Sequence, residues 1–242
     1  MSNMQNKFCH SLILVRPQMG ENIGGCARSM KNFYFFDELR IVSPRDGWPN
    51  EKALRNAAGG SDLIESAQIF DNLDDAISDL EFIYACTARP RDMNIKSIEI
   101  KDLKNDYNIN LKSGVMFGPE NSGLSNDEIS KSNKIIYIDA NPKFPSLNIS
   151  QATMLVCYEL RNLANLNSFD NKQDLATKGE IEMLLDHLFL ELENSKFFKV
   201  DEKKPIMKRN IANIFNRIDK LSKSEIQTLR GIVSAGFSRK LQ

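Results

Sequence analysis

The 242-residue chain has only two histidines, His10 and His187, far apart, and its four cysteines, Cys9, Cys26, Cys86 and Cys157, form no Cys-x-x-Cys pair. That scatter argues against a zinc site, and neither histidine has neighbours that suggest a Ser/His/Asp triad; both read as incidental core or surface side chains. No apolar run reaches the ~20 residues needed to span a bilayer. MSNMQNKFCH lacks the charged-then-apolar pattern of a secretory leader, so the expected setting is the cytoplasm, with no membrane partner. Two phosphate-binding signatures are missing as well. GENIGG lacks the closing Gly-Lys-Ser/Thr of a P-loop, and no Gly-x-Gly-x-x-Gly follows a strand-like run, which weakens NTPase and dinucleotide readings.

What is present is enough apolar material, 41% of residues, for a substantial core: one large domain, or one domain with an appendage. Short β-rich runs recur at SLILV (11–15), LRIVS (39–43), FIYAC (82–86), GVMFG (114–118) and KIIYI (134–138). Helix-like segments separate them: ENIGGCARSMKNF, the cap-like Asp71 leading into LDDAISDL, SNDEISKS, and SQATMLVCYELRNLA. The alternation predicts an α/β fold with a mostly parallel sheet and helices on both faces.

After about Ala164 the pattern changes. Polar NLNSFDNKQDLA reads as a linker, and three helical segments follow without a convincing strand. Thr177 with Glu180 fits a capping box, ahead of Ile181, Leu184, Leu185, Leu188 and Leu192 on one helical face. A second helix is expected to start near Pro205, and Ser222 with Glu225 marks a third. Charge is uneven despite 32 basic and 32 acidic residues in balance. From Lys199 onward Lys203, Lys204, Lys208, Arg209, Arg217, Lys220, Lys223, Arg230, Arg239 and Lys240 outnumber Asp201, Glu202, Asp219 and Glu225. Such a tail suits a polyanion, or is simply a solvated face.

Four loops could carry chemistry. In the first, Asn22 can cap a helix whose narrow apolar face is Ile23, Ala27 and Met30. Glycine inside a helix costs ~1 kcal/mol relative to alanine, so Gly24 and Gly25 imply close approach of another helix or a ligand. Arg28, one turn on, could hold a phosphate bidentately or make an ordinary surface ion pair. The second loop, FGPENSGLSNDEI, has turn residues Gly118, Pro119 and Gly123 around Glu120, and a helix start at Ser125 or Asn126. The third, IDANPKFPSLNISQA, runs from strand to helix, offers Ser146 and Asn148, and lies where open α/β sheets bind ligands. The fourth is ACTARPRD, with Thr87 and two arginines.

In that set, NIGGCARSMKNF, CTARPRD, FGPENSGLSNDEI and NPKFPSLNISQA together resemble the signature segments of SPOUT-superfamily RNA ribose methyltransferases, specifically the TrmJ type that modifies tRNA. The likeness covers roughly residues 10–164, and more loosely the basic helical tail. It implies a methyltransferase domain over 1–164, a linker over 165–176, and a small all-α extension over 177–242 that binds RNA or supports a dimer. The resemblance further implies S-adenosylmethionine held without a metal in a deep trefoil knot formed by the C-terminal part of the α/β domain. It implies a homodimer with the active site shared between chains. Cys86, Thr87, Ala88, Gly118, Ile138, Ser146, Leu147 and Asn148 would line the cofactor pocket, and Asn22, Arg28 and Glu120 would sit near the reacting ribose. Two positions depart from the family pattern: Pro119 stands where many relatives have arginine, and the chain reads CTAR where they read TSAR.

The implied activity is 2'-O-methylation of a tRNA ribose, at cytidine or uridine, with position 32 of the anticodon loop as the expected target. A ribosomal RNA methyltransferase or an inactive RNA-binding protein of the same fold are the alternatives. Because guanidinium stays protonated, Arg28 is expected to grip phosphate and stabilise the developing alkoxide rather than act as a base. Gly24 and Gly25 are expected to permit close packing at the dimer seam.

Overall fold

The computed structural model describes residues 10–88, 95–161, 163, 174–218 and 221–238. Its strands are β1 (His10–Val15), β2 (Glu38–Val42), β3 (Gln68–Phe70), β4 (Phe82–Cys86), β5 (Ser97–Glu99), β6 (Ser113–Phe117) and β7 (Lys134–Tyr137). They form one seven-stranded sheet in the order β3-β2-β1-β6-β4-β7-β5, parallel at every pairing. The interior strands are the five apolar runs of the sequence. The two additional ones, β3 and β5, are three-residue edge strands, too short to leave a periodic signal.

Successive side chains of a strand point to opposite faces, and here both faces are apolar because both are covered. Leu12, Leu14, Tyr84, Val115 and Ile136 pack on one side against α1 (Gly20–Phe33), α2 (Glu51–Ala57) and α7 (Ile149–Arg161), through Ile23, Met30, Ala53 and Val156. Ile13, Val15, Ile83, Met116 and Ile135 pack on the other against α4 (Leu73–Ile77) and α6 (Asn126–Ser130), through Ala76, Ile77 and Ile129. Each of the Val, Leu, Ile and Met side chains among them contributes roughly 1.5–3 kcal/mol on burial. Short helices α3 (Ser61–Glu65) and α5 (Leu103–Asp106) lie in the remaining connections.

Helix starts follow local chemistry. Ser125 and Glu128 form a capping box on α6. The cap of α4 is Asn72, whose side chain accepts from the Asp75 amide, and not Asp71, whose carbonyl instead accepts from Ser43 Oγ.

The C-terminal helices are α8 (Lys178–Asn194), α9 (Lys204–Asn216) and α10 (Lys223–Ser238). Thr177 with Glu180 and Ser222 with Glu225 make the expected reciprocal caps, and Pro205 occupies the first turn of α9. Ile181, Leu184 and Leu185 enter a separate core with Leu221 and Ile226; Leu188 and Leu192 are half-buried. At the end of the expected linker, Ala176 is buried in that core, while Leu175, bridged to Ser222, is buried in the core of the sheet unit.

These helices dock on the sheet unit by specific polar contacts. The Lys178 and Gly179 amides donate to the carbonyls of Leu80 (2.7 Å) and Ser78 (2.8 Å), and Asn216 Nδ2 donates to Ser130 O (2.5 Å). Lys178 Nζ donates to Asn216 Oδ1, and burial pushes this ammonium down to about 7. Part of the basic tail is internally neutralised: Lys204 and Lys208 pair with Glu193, Arg209 with Asp127 and Lys223 with Asp174. Lys220, Arg239 and Lys240 lie outside the described residues. Among the described residues no helix is long and apolar enough to cross a membrane.

Candidate functional site

Strands β6, β4 and β7 are neighbours in the sheet though not in sequence, so the loops leaving their carboxyl ends meet. Between them lies a cavity. Cys86, Thr87 and Ala88 line it from β4, Gly118 and Glu120 from β6, and Ile138, Ser146 and Leu147 from β7. Phe117, Ile149 and Ala152 also face it; they are ordinary core types at strand and helix ends and carry no sequence signal of their own. The arginines of CTARPRD, Arg89 and Arg91, fall outside the described residues.

The second loop turns back sharply. Gly123 has φ +66°, its amide donates to Pro119 O at 2.8 Å, and a Cβ on Gly118 would overlap the Leu124 amide and Gly123. Glycine at both positions is thus demanded by backbone shape. The turn carries Glu120 back toward α1.

Glu120 fastens the loop that opens α1 from about a hundred residues away. Its carboxylate accepts from the amides of Gln18 (2.9 Å) and Met19 (3.2 Å) and from Asn22 Nδ2 (2.7 Å). Asn22 is therefore not the helix cap: α1 begins at Gly20, Met19 occupies the cap without a side-chain bond, and Asn22 lies buried within the first turn. Its own Oδ1 accepts from Asn148 Nδ2 at 2.9 Å. Asn148 is absent from the cavity wall, because its Oδ1 accepts from Ser150 N and Oγ at the start of α7. The amides Asn22 and Asn148 and the carboxylate Glu120 thus tie three loops together.

The helix glycines are explained within one chain. A Cβ on Gly24 would collide with the Ala53 carbonyl and the Ala57 amide of α2, and one on Gly25 with Ser150 of α7. Their close approach serves the packing of α1 on α2 and α7 within the chain. Arg28 stands apart from the cluster, about 9 Å along the axis from Asn22 at 1.5 Å per residue. It is exposed and makes no ion pair or hydrogen bond with any described residue.

Arg16 was not singled out by the sequence. At the end of β1 it adopts φ 48°, in the left-handed region unusual for a side-chain-bearing residue, and its guanidinium bonds both oxygens of Glu128. The loop 16–19 is thereby held at both ends by carboxylates of the β6–β7 connection.

The wall suits an adenosyl sulfonium ligand. Cys86, Ile138, Leu147 and Ala152 offer apolar contact for a base, and Glu120 places a carboxylate within reach of a positive centre. The main-chain groups of Ser146 and Leu147 bond to no described residue and can serve a ligand's polar edge. Burial pushes the Cys86 thiol up to about 12, so it contributes contact surface and not a nucleophilic thiolate. Among the described residues no group of three His, Cys, Asp or Glu could hold a metal.

Residues 10–158 match the model of the SpoU rRNA methylase family, and residues 179–241 match that of the tRNA methyltransferase TrmJ C-terminal domain. The chain is similar to tRNA (cytidine-2'-O-)-methyltransferase TrmJ of Methanocaldococcus jannaschii, 34% identical over 215 residues that cover 86% of this chain and 90% of the relative. It is 30% identical over 241 residues to tRNA (cytidine/uridine-2'-O-)-methyltransferase TrmJ of Citrobacter koseri, covering 93% and 94%. Among solved structures, TrmJ from Z. mobilis ZM4 has a TM-score of 0.83 and 34% identity, covering 93% of this chain and 97% of that one. With the loop cluster, the sheet order and the family match in agreement, the chain belongs to the SpoU rRNA methylase family.

Proposed function

We infer that this protein methylates the 2'-oxygen of a tRNA ribose with S-adenosylmethionine, at cytidine or uridine and at position 32 of the anticodon loop. The observation that carries the reading is the convergence of the β4, β6 and β7 loops on one cavity beside the Asn22, Glu120 and Asn148 cluster. The names of the relatives support tRNA as the substrate, and the matched C-terminal model supports residues 177–242 as the unit that distinguishes this type. The division into 1–164, 165–176 and 177–242 and the trefoil knot belong to the same reading. The knot is supported by the strand jumps that interleave β6, β4 and β7.

S-adenosylmethionine supplies an electrophilic methyl on a sulfonium when bound. The chain's own part is orientation. Glu120 fixes the amides of Gln18 and Met19 and the side chain of Asn22, so the loop beside the cavity has one shape before RNA arrives. Arg28 binds the phosphate next to the target ribose and stabilises charge on the 2'-oxygen as its proton passes to phosphate or water.

In this reading Arg28 acts at the cavity of a second copy. Its position away from its own chain's cluster supports that, as does the exposed apolar stripe of Met154, Leu155 and Tyr158 on α7, next to Phe33 of α1. The test is methyl transfer from labelled donor to unmodified total RNA, followed by separation of tRNA from ribosomal RNA, nucleoside analysis and mapping of the modified position. Ribose-methylated cytidine or uridine at position 32 is expected; label confined to ribosomal RNA, or no transfer, overturns the assignment. Full turnover by a strictly monomeric protein overturns the shared site.

A further inference from the structure

The β7–α7 loop, which lines one side of the cavity, carries an exposed aromatic ring. Phe144 is 76% exposed, the highest value among the large apolar side chains of the described residues. It stands in the β7–α7 loop immediately before Pro145, Ser146 and Leu147, which line the cavity.

Its presentation is fixed on both sides. The Phe144 amide donates to Asn141 O at 2.8 Å, closing a turn through Pro142, and the Lys143 amide donates to Asn141 Oδ1 at 3.0 Å. Pro145 then confines Phe144 to extended backbone. A ring held in water by an ordered turn forgoes burial, and no described aromatic or cation packs on it. Scattered exposed apolar residues are common, yet this one directly precedes the Pro145, Ser146 and Leu147 segment of the cavity wall. Lys143 beside it is exposed and pairs with no described acid. An aromatic face next to a free ammonium matches the two halves of a nucleotide, base and phosphate. A protein partner would more naturally cover a wider apolar patch than one ring flanked by charge.

We propose that Phe144 is a positioning residue for RNA: its ring stacks on the base of the nucleotide entering the site, and Lys143 receives an adjoining phosphate. The proposal rests on the RNA-methylating role above. Stacking discriminates little between bases, because each has a π-face. Phe144 therefore serves orientation of the ribose more than choice of base.

The experiment compares full-length wild type with Phe144→Ala, Phe144→Leu and Phe144→Trp, using unmodified tRNA transcript. Turnover, KM for tRNA, donor affinity and oligomeric state are measured for each. Phe144→Ala is expected to lower kcat/KM for tRNA by about 5- to 150-fold, the range of one lost base stack. Donor affinity and oligomeric state stay at wild-type values. Phe144→Trp restores the rate, whereas Phe144→Leu, apolar but without a π-face, does not. Wild-type kinetics for Phe144→Ala or Phe144→Leu overturn the proposal. So does a loss of activity that tracks dissociation into single chains, which would assign the ring to the second copy. A wild type that methylates no RNA overturns the parent reading instead.

Discussion

The two ends of the sheet solve different problems. At the amino ends of the strands the polar groups are strongly charged and closed on themselves. Arg40, 2% exposed, bonds Glu38 (2.6 Å), Asp79 (2.5 Å) and the Ala76 carbonyl (2.7 Å); Lys112 joins Asp79, and Lys134 reaches Asp106 at 2.8 Å. His10 is buried there, stacked on Phe35 with ring centroids 4.9 Å apart, its Nδ1 3.2 Å from the Tyr107 hydroxyl. At the carboxyl ends the Arg16–Glu128 pair holds the loop beyond β1, but the cluster beside the cavity is two neutral amides around one carboxylate, next to Ser146 and Leu147 main-chain groups that bond to no described residue. A closed network spends all its donors and acceptors on the fold. An open one keeps some for a ligand, which is the physical difference between a stabilising end and a working end.

Variants at each end should therefore move different observables. The largest effect is expected for Arg40→Met. It removes the buried guanidinium that Glu38 and Asp79 share, leaving Asp79 paired with Lys112 and Glu38 bonded by Ser11, and takes from the Ala76 carbonyl its side-chain donor, at a cost of about 4 kcal/mol. Denaturant unfolding checks this, with donor affinity of the remaining folded protein unchanged; a lost affinity at unaltered stability would erase the distinction.

Next comes pH. Burial pushes His10 down to about 4 from 6.5, so between these values the unfolded chain binds the proton more readily than the fold does. Its contribution is complete above pH 6.5 and is lost as pH falls from 6.5 toward 4, about 3 kcal/mol in all. Unfolding curves at pH 7.5 and 4.5 should show a smaller loss for His10→Gln than for wild type. An equal loss in both would place the acid sensitivity elsewhere.

The smallest change in free energy is expected at the working end. Glu120→Gln offers one acceptor oxygen to donors now held by two, and should slow methyl transfer on the order of 100-fold, equivalent to about 2.7 kcal/mol. Its unfolding midpoint should remain within a few degrees of wild type. A variant that unfolds early but turns over normally when folded would make Glu120 a member of the stabilising end.

What could be read from the residues alone divides along the same physical line. The five interior strands and the Thr177, Ser125 and Ser222 helix starts were legible because short apolar runs and caps are local, spanning a few residues. The four loop segments were legible together as a family likeness. The tie from Glu120 to Asn22 was not, since partners 98 residues apart leave no period in the chain. Gly24 and Gly25 announced close approach without naming the neighbour, and only the packed helices α2 and α7 supply it. Asn22 illustrates the opposite error: a residue type that favours caps was used inside the first turn, because a distant carboxylate already served the amides before it.

Glu120 lies far along the polypeptide from the loop it holds. β1 is bordered in the sheet by β6, and the loop beyond β1 is latched by a side chain made about a hundred residues later. While the chain is still emerging from the ribosome, its first third holds a loose arm and no chamber. Competence for the methyl donor consequently arrives late and all at once, and an unfinished molecule has nowhere to keep it.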